Sequence, residues 1–99
     1  MERERDIEKY LKAQVEEMGG LFMKFVSPGN DGVPDRIAIM PGGHVWFVEL
    51  KTSKGRTTAI QEWQIEQLKK RDVPAIVVKG MIGARVFIET LRDEQDGLL

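Results

Sequence analysis

The sequence contains no cysteine and only one histidine, His44. The missing cysteines exclude disulfide bonds and cysteine-ligated zinc, and one histidine cannot build a multi-histidine metal centre. Any metal site must therefore use oxygen ligands, which favour Mg²⁺ or Mn²⁺. His44 follows a Pro-Gly-Gly turn and is expected to be solvent-exposed.

Long apolar runs are also missing, and no stretch reaches the length that a membrane-spanning helix needs. The charged first residues lead into no signal-peptide core, so the sequence predicts a cytoplasmic protein without a membrane partner. The 99 residues are predicted to form one domain, residues 1–99. A net charge of −1 gives no general sign of nucleic-acid binding.

The spacing of apolar residues predicts the element order αβββαβα. A first helix is expected from Glu2 to Met18, and a capping box at Thr58 and Gln61 opens a second helix that ends near Arg71. The predicted strands are 21–27, 36–40, 44–51 and 75–78, a last helix is marked by Ala84, Phe87, Ile88 and Leu91, and the tail from Arg92 is expected to be irregular. This order predicts an α/β fold, with a mixed β-sheet flanked by helices and a right-handed parallel crossover between the third and fourth strands.

Three charged residues are expected to meet at the open end of the predicted hairpin of strands two and three. Alternation along a strand puts Glu49 and Lys51 on one face, and Asp35 begins the preceding strand after a rigid Val33-Pro34 approach. All three lie at the end far from the Pro41-Gly42-Gly43 turn. The residue types therefore indicate a candidate site made of two carboxylates and a lysine.

Such a constellation suits metal-assisted hydrolysis of a phosphodiester. Asp35 and Glu49 would bind Mg²⁺ or Mn²⁺, and the main-chain carbonyl of Leu50 could face the same cation. Lys51 would orient the attacking water or neutralise charge at phosphorus. The plain alternative is a surface hairpin with an ordinary Glu–Lys pair, because Glu-x-Lys and Pro-Asp are each common by themselves.

Taken together, three short motifs resemble a known family. Gly32-Val33-Pro34-Asp35-Arg36, Val48-Glu49-Leu50-Lys51 and Gln61-Glu62-Trp63 resemble the VRR-NUC (virus-type replication-repair nuclease) family of the PD-(D/E)XK superfamily. The resemblance implies a restriction-endonuclease-like αβββαβ core and Mg²⁺- or Mn²⁺-dependent DNA cleavage. It also implies a short phage-type protein, acting in the host cytoplasm as a homodimer on branched DNA such as four-way (Holliday) junctions.

Two further residues are candidates for the site. Glu4 lies on the apolar stripe of the first helix, and the resemblance implies that an early glutamate there joins the metal site; helix-end fraying is the alternative, and Glu8 is the fallback. Gln61 belongs to the capping box, and the resemblance also places it near phosphate or an active-site water.

Cations near the site are candidates for DNA binding. Lys54 and Arg56 flank Gly55 in a loop straight after Lys51, and Lys24 is the lone charge of the first strand. Lys69, Lys70 and Arg71 are read as a solvated helix end. Trp63 and Trp46 are both expected to be core residues rather than base-stacking platforms.

A homodimer would use spare apolar side chains, namely Met81, Ile82, Leu98, Leu99 and either Val26 or Trp46. These residues would otherwise close the monomer's own core. Other functional readings are a nickase or flap-type nuclease and a non-catalytic DNA-binding module of the same fold. The presence of Asp35, Glu49 and Lys51 together argues against the last reading.

Overall fold

The computed structural model describes residues 2–97 as a four-stranded mixed sheet with three helices. The elements are α1 (Glu4–Glu17), β1 (Leu21–Lys24), β2 (Arg36–Ile39), β3 (Val45–Lys51), α2 (Ala59–Lys70), β4 (Ala75–Lys79) and α3 (Gly80–Gly97). The strands lie in the order β1-β2-β3-β4, with β4 parallel to β3 and the other pairs antiparallel. The predicted fold class and element order are confirmed.

Helix α1 forms because its apolar residues recur on one stripe. Ile7, Leu11 and Val15 are each fully buried, and acids occupy the first turn, where the helix dipole favours them. The chain then turns at Gly19, whose φ of +87° suits glycine. Gly20 follows against Met40 and Val15, where an added Cβ would come within 2.9 Å of the nearest atoms.

One face of the sheet packs against α1 and α3 to make the core. Its strand residues are Phe22, Ala38, Val48, Leu50 and Val78, each 3% exposed or less. Phe87 and Ile88 of α3 join the same cluster. Trp46 packs against this cluster and makes an edge contact with Phe87, with 5.5 Å between ring centroids, so the prediction that Trp46 serves the core is confirmed.

Three sequence predictions need correction. The first strand ends at Lys24 rather than Ser27, although Phe25 still donates its N–H to the Asp35 carbonyl at 2.9 Å. The tail from Arg92 is not irregular, because α3 continues to Gly97. Side chains of the added turns are tied to the body: Glu94 accepts from Trp46 Nε1 and Gln95 donates to the Met18 carbonyl.

The third correction concerns Trp63, which is 55% exposed and not a core residue. Helix α2 covers the second face of the sheet only in part, and Ile65 is its one buried residue within the described chain. His44 is exposed as expected. No helix within residues 2–97 is long and apolar enough to cross a membrane.

Candidate active site

The β2–β3 hairpin brings Asp35 and Glu49 to the same end of the sheet. The antiparallel register pairs Arg36 with Val48, so the next step outward sets Asp35 opposite Glu49. The Asp35 Oδ1 atom accepts a hydrogen bond from the Leu50 N–H at 3.1 Å. The main chain of Asp35 is held as well, because its carbonyl accepts from Phe25. A short strand and a proline approach thus fix this aspartate in place.

Glu49 is the buried acid of the site, with only 3% of its surface exposed. The pKa of Glu49 is raised to about 7, mainly by burial and also by the nearby charge of Asp35, against the opposing effect of Lys51. The charge of Glu4 also raises this pKa. Two acids that share a poorly solvated space disfavour each other's ionised forms. Burial and the neighbouring acids therefore both favour the protonated form of Glu49.

Two side chains contact the Glu49 carboxylate, one from the same strand and one from α2. Lys51 Nζ lies 3.6 Å from Glu49 Oε2, and Gln61 Nε2 donates to the same oxygen at 3.2 Å. The side chain of Lys51 is 17% exposed, so the ammonium reaches solvent beside the carboxylates. The prediction that Glu49 and Lys51 project together is confirmed by this pair.

Gln61 has two structural roles at once. Its backbone N–H donates to the Thr58 hydroxyl and its side-chain oxygen accepts from the Thr58 N–H at 2.9 Å, which completes the predicted capping box. The side-chain nitrogen is thereby turned towards Glu49. Because the two ends of the amide have different partners, the start of α2 and the carboxylate of Glu49 are held in one orientation.

Arg36 was not singled out from the sequence, yet it is the main support behind Asp35. Its guanidinium donates to the Asp35 carbonyl at 2.9 Å and lies 3.6 Å from Asp35 Oδ2. The other end of the guanidinium donates to the carboxylate of Glu8 in α1. The side chain of Arg36 is 12% exposed. Its position directly after Asp35 in the motif was the only sequence signal, because the contact with Glu8 spans 28 residues.

The carbonyl of Leu50 is directed towards the same place as Asp35. In an extended strand the N–H and C=O of one residue project to the same edge, and the Leu50 N–H points at Asp35 Oδ1. The available donors are therefore two carboxylates and one main-chain carbonyl, which is an all-oxygen set of the kind Mg²⁺ and Mn²⁺ accept. This donor set and the raised pKa of Glu49 both fit a divalent cation.

Glu4 lies in the first turn of α1 and is exposed. Its charge reaches Glu49, but within residues 2–97 no three acids or histidines are gathered closely enough to hold a metal together. The fallback residue, Glu8, is engaged by Arg36. A ligand role for Glu4 stays a prediction.

The candidate DNA-binding cations all face solvent, and Lys24 lies on the same sheet face as Phe22 rather than on the face of Glu49. Lys24, Lys54 and Arg56 are all exposed. The loop that carries Lys54 and Arg56 is anchored by Glu2, a residue the sequence did not single out, whose carboxylate accepts from the Ser53 N–H at 2.7 Å and the Met81 N–H at 2.9 Å. Both hydrogen bonds lower the pKa of Glu2. The basic loop is thus tied to the start of α3.

Comparison with known proteins supplies the family. A scan of family models gives no match to the chain. A 59-residue stretch, 60% of the chain, is 48% identical to a protein named "Putative nuclease p44" from Acyrthosiphon pisum secondary endosymbiont phage 1, and the match spans 63% of that protein. A solved structure described as a VRR_NUC domain superposes with a TM-score of 0.83 at 32% identity, covering 90% of this chain and 97% of the other. With this fold and this arrangement of Asp35, Glu49 and Lys51, the chain belongs to the VRR-NUC family.

Proposed function

We propose that this protein is a metal-dependent DNA endonuclease that selects branched DNA, such as four-way junctions. The observation that carries the proposal is the meeting of Asp35, buried Glu49 and Lys51 at one end of the β2–β3 hairpin. A surface Glu–Lys pair would not need a buried acid that also accepts a hydrogen bond from Gln61. The phage relative, itself named as a nuclease, supports the same activity.

Asp35, Glu49 and the carbonyl of Leu50 are the residues that would hold Mg²⁺ or Mn²⁺. When bound, such a cation supplies charge neutralisation at a phosphate and a more acidic water. Its positive charge would also favour the ionised form of Glu49, against the burial and the neighbouring acids that raise its pKa. Arg36 keeps Asp35 directed at the site through two contacts and is itself anchored by Glu8.

Lys51 and Gln61 provide the polar groups beside the carboxylates. The ammonium of Lys51 is positioned to orient an attacking water or to stabilise charge that develops on the phosphate. Gln61 holds Glu49 in one rotamer through its hydrogen bond, which keeps the carboxylate preorganised. Phosphate contacts outside the site fall to Lys54, Arg56 and Lys24, which are exposed.

The preference for branched DNA follows from the family resemblance and agrees with the charge of the chain. A net charge of −1 gives little general attraction to long duplex, so selectivity should come from shape near the site. A phage-encoded protein of this kind would work in the host cytoplasm. A nickase or flap-type nuclease is the alternative activity, and a non-catalytic binding module is disfavoured by the complete set of site residues.

A homodimer would match the approximate two-fold symmetry of a four-way junction, because two related sites can cut two related strands. Of the residues suggested for its interface, Val26 and Ile82 are 76% and 78% exposed. Met81 and Trp46 pack against the core instead, and Leu98 and Leu99 lie outside the described residues. Light scattering at micromolar concentration tests the dimer, and a strict monomer that still cuts junctions symmetrically contradicts it.

The activity is tested by a cleavage assay on duplex, flap, fork and four-way-junction DNA of shared sequence. We expect cleavage with Mg²⁺ or Mn²⁺, none with EDTA, and the highest rate on the four-way junction. Asp35→Asn protein purified in parallel controls for contaminating nucleases. Binding without cleavage on all substrates would favour the non-catalytic module, and a highest rate on flap DNA would favour the alternative nuclease.

A further inference from the structure

A groove runs between α2 and the loop of residues 27–34, on the sheet face that carries the site. Its inner part has a volume of about 170 Å³ and is lined by Phe25, Phe47 and Pro34. Its outer part, of about 270 Å³, is lined by Trp63, Gln67 and Arg71. The two parts share Asn30, Gln64 and Leu68, so they form one continuous surface.

Trp63 stands at the outer rim with 55% of its surface exposed. Trp46, by contrast, is partly buried and packs against Phe87 of the core. An exposed indole offers a flat apolar surface, and a nucleobase stacks on such a surface whatever its identity.

The inner part of the groove adjoins the candidate site at two points. Pro34 immediately precedes Asp35, and Phe47 lies two residues before Glu49 on the same face of β3. Trp63 lies farther out, because two residues along a helix turn its side chain by about 200° from the direction of Gln61. A nucleotide chain whose phosphate lies at Asp35 and Glu49 would therefore enter the inner part first and reach Trp63 at the outer rim.

The polar chemistry of the groove also suits a nucleotide. Asn30, Gln64 and Gln67 contribute amides, which can both donate to and accept from base edges. Arg71 closes the outer end, and its guanidinium is held by the backbone and side-chain oxygens of Gln67 at 3.0 and 3.1 Å. Lys69 and Lys70 immediately precede it at the same helix end. Arg71 offers a phosphate-binding position at one end of the groove. The carboxylates and the proposed metal offer another at the other end, with the apolar lining between them.

The loop wall is held in place, so the groove exists before any ligand arrives. Gln64 Nε2 donates to the Asp31 carbonyl at 2.9 Å, and Asn30 donates to the Ser27 hydroxyl at 2.9 Å. Gly32, with φ of +81°, lies so close to Ile60 that an added Cβ would come within 2.8 Å. A preformed groove costs little ordering entropy when it binds.

We propose that this groove binds an unpaired nucleobase of the substrate, stacked on Trp63. The inference rests on the proposed action on DNA and specifies how branched substrates are distinguished from duplex. Bases within a duplex are stacked on each other and cannot reach the indole. An unpaired or frayed nucleotide at a branch can, so the groove selects for strand ends that have left the helix.

Equilibrium binding to an oligothymidylate and to an abasic oligomer of equal length tests the proposal, because the two carry the same phosphates. An Asp35→Asn background prevents hydrolysis. We expect Trp63→Ala to weaken binding to the oligothymidylate roughly 5- to 100-fold, the range for loss of one base–aromatic stack. Binding to the abasic oligomer should be weaker and unchanged by the substitution. Trp63→Phe should retain most of the affinity.

Val86→Ala is the matched control, since Val86 is an apolar helix residue with a similar exposed fraction of 57%. Val86→Ala should leave binding to both oligomers unchanged. A direct readout comes from Trp46→Phe protein, in which Trp63 is the one remaining tryptophan; its fluorescence should be quenched by the oligothymidylate and not by the abasic oligomer.

Equal losses for both oligomers in Trp63→Ala, or no loss for either, would overturn the proposal. Loss of dimers in the same variant without loss of base binding would assign the groove to a second copy of the chain and also overturn it. The proposed nuclease activity is judged separately by cleavage of the branched substrates. If Trp63→Ala leaves cleavage unchanged and no base-dependent binding is found, the base-binding proposal is wrong and the proposed nuclease activity still stands.

Discussion

The two faces of the central sheet are made by the same strands and differ in almost every physical respect. On the face covered by α1 and α3, Phe22, Ala38 and Val48 are 3% exposed or less. On the opposite face, Leu21 and Met23 of β1 are about half exposed, at 54% and 44%, and Glu49 is buried as an acid. The first face contributes apolar burial, and the second carries charge, a groove and an exposed tryptophan. Alternation along each strand lets one short sequence supply both.

The largest effect is expected from the carboxylates of Asp35 and Glu49 on the sheet face opposite α1 and α3, which we call the open face. Asp35→Asn or Glu49→Gln should reduce cleavage by about 10³-fold or more, because each removes a charged oxygen from the proposed cation site. The free energy of unfolding should not fall in either variant. Cleavage rates and urea denaturation on the same preparations check this pair of expectations. Wild-type turnover in either variant would show that the metal site lies elsewhere.

Lys51→Ala should lower cleavage by about 10²- to 10³-fold, since it removes a cation beside the reacting phosphate. Mn²⁺ binding by calorimetry should persist, because the lysine is proposed to act on water and phosphate rather than on the metal. Lys79→Ala is a suitable control, as Lys79 is the parallel-strand neighbour of Lys51. Loss of Mn²⁺ binding in Lys51→Ala would contradict the assigned role.

On the face covered by α1 and α3, substitutions should instead lower the stability of the protein. Phe87→Ala should reduce the free energy of unfolding by about 3–5 kcal/mol, because Phe87 is fully buried and leaves a cavity. Phe47→Ala on the open face should cost less, since Phe47 is only half-buried. Urea denaturation of the two variants compares the faces directly. Equal losses would mean that the open face contributes as much packing as the core.

The pH dependence of the free energy of unfolding reports on the buried acid Glu49. The pKa of Glu49 is about 7 in the folded protein against an ordinary 4.5, so folding favours the protonated form. This stabilisation is complete below pH 4.5 and is lost as pH rises through 7, by about 3 kcal/mol. Denaturation in EDTA at several pH values should show that loss for the wild type and not for Glu49→Gln. Added Mn²⁺ should flatten the wild-type curve, and identical curves for the two proteins would contradict the burial of this charge.

The smallest effect is expected from the basic loop. Lys54→Ala/Arg56→Ala should weaken binding to all DNA shapes and reduce the slope of log affinity against log salt by about 1–2. Lys69→Ala/Lys70→Ala serves as a control of equal charge change. A larger slope change in the control would move the DNA path towards the end of α2.

Sequence reasoning reached the fold and the core of the site because both follow from local rules. Strand alternation put Glu49 and Lys51 on one face, the hairpin turn fixed the register that brings Asp35 opposite, and the capping box located Gln61. The contacts that sequence reasoning missed are those of Arg36 with Glu8 and of Glu2 with Ser53 and Met81. They depend on how α1 crosses the sheet, which no local pattern encodes.

The errors have a similar origin in tertiary context. Trp63 was predicted to be buried because aromatic residues usually are, but α2 covers too little of the open face to enclose it. The last helix was predicted to end early because its final turns are charged. There, hydrogen bonds from Trp46 to Glu94 and from Gln95 to Met18 hold those turns against the body.

The double use of Gln61 has a dynamic consequence. One amide closes the first turn of α2 and also donates to Glu49, so fraying of this turn is expected to remove one of the contacts that hold the carboxylate. Hydrogen exchange at the first amides of α2 would therefore report the fraction of time in which Glu49 is free to reorient. The local stability of one helical turn thus affects how firmly one residue of the candidate site is held.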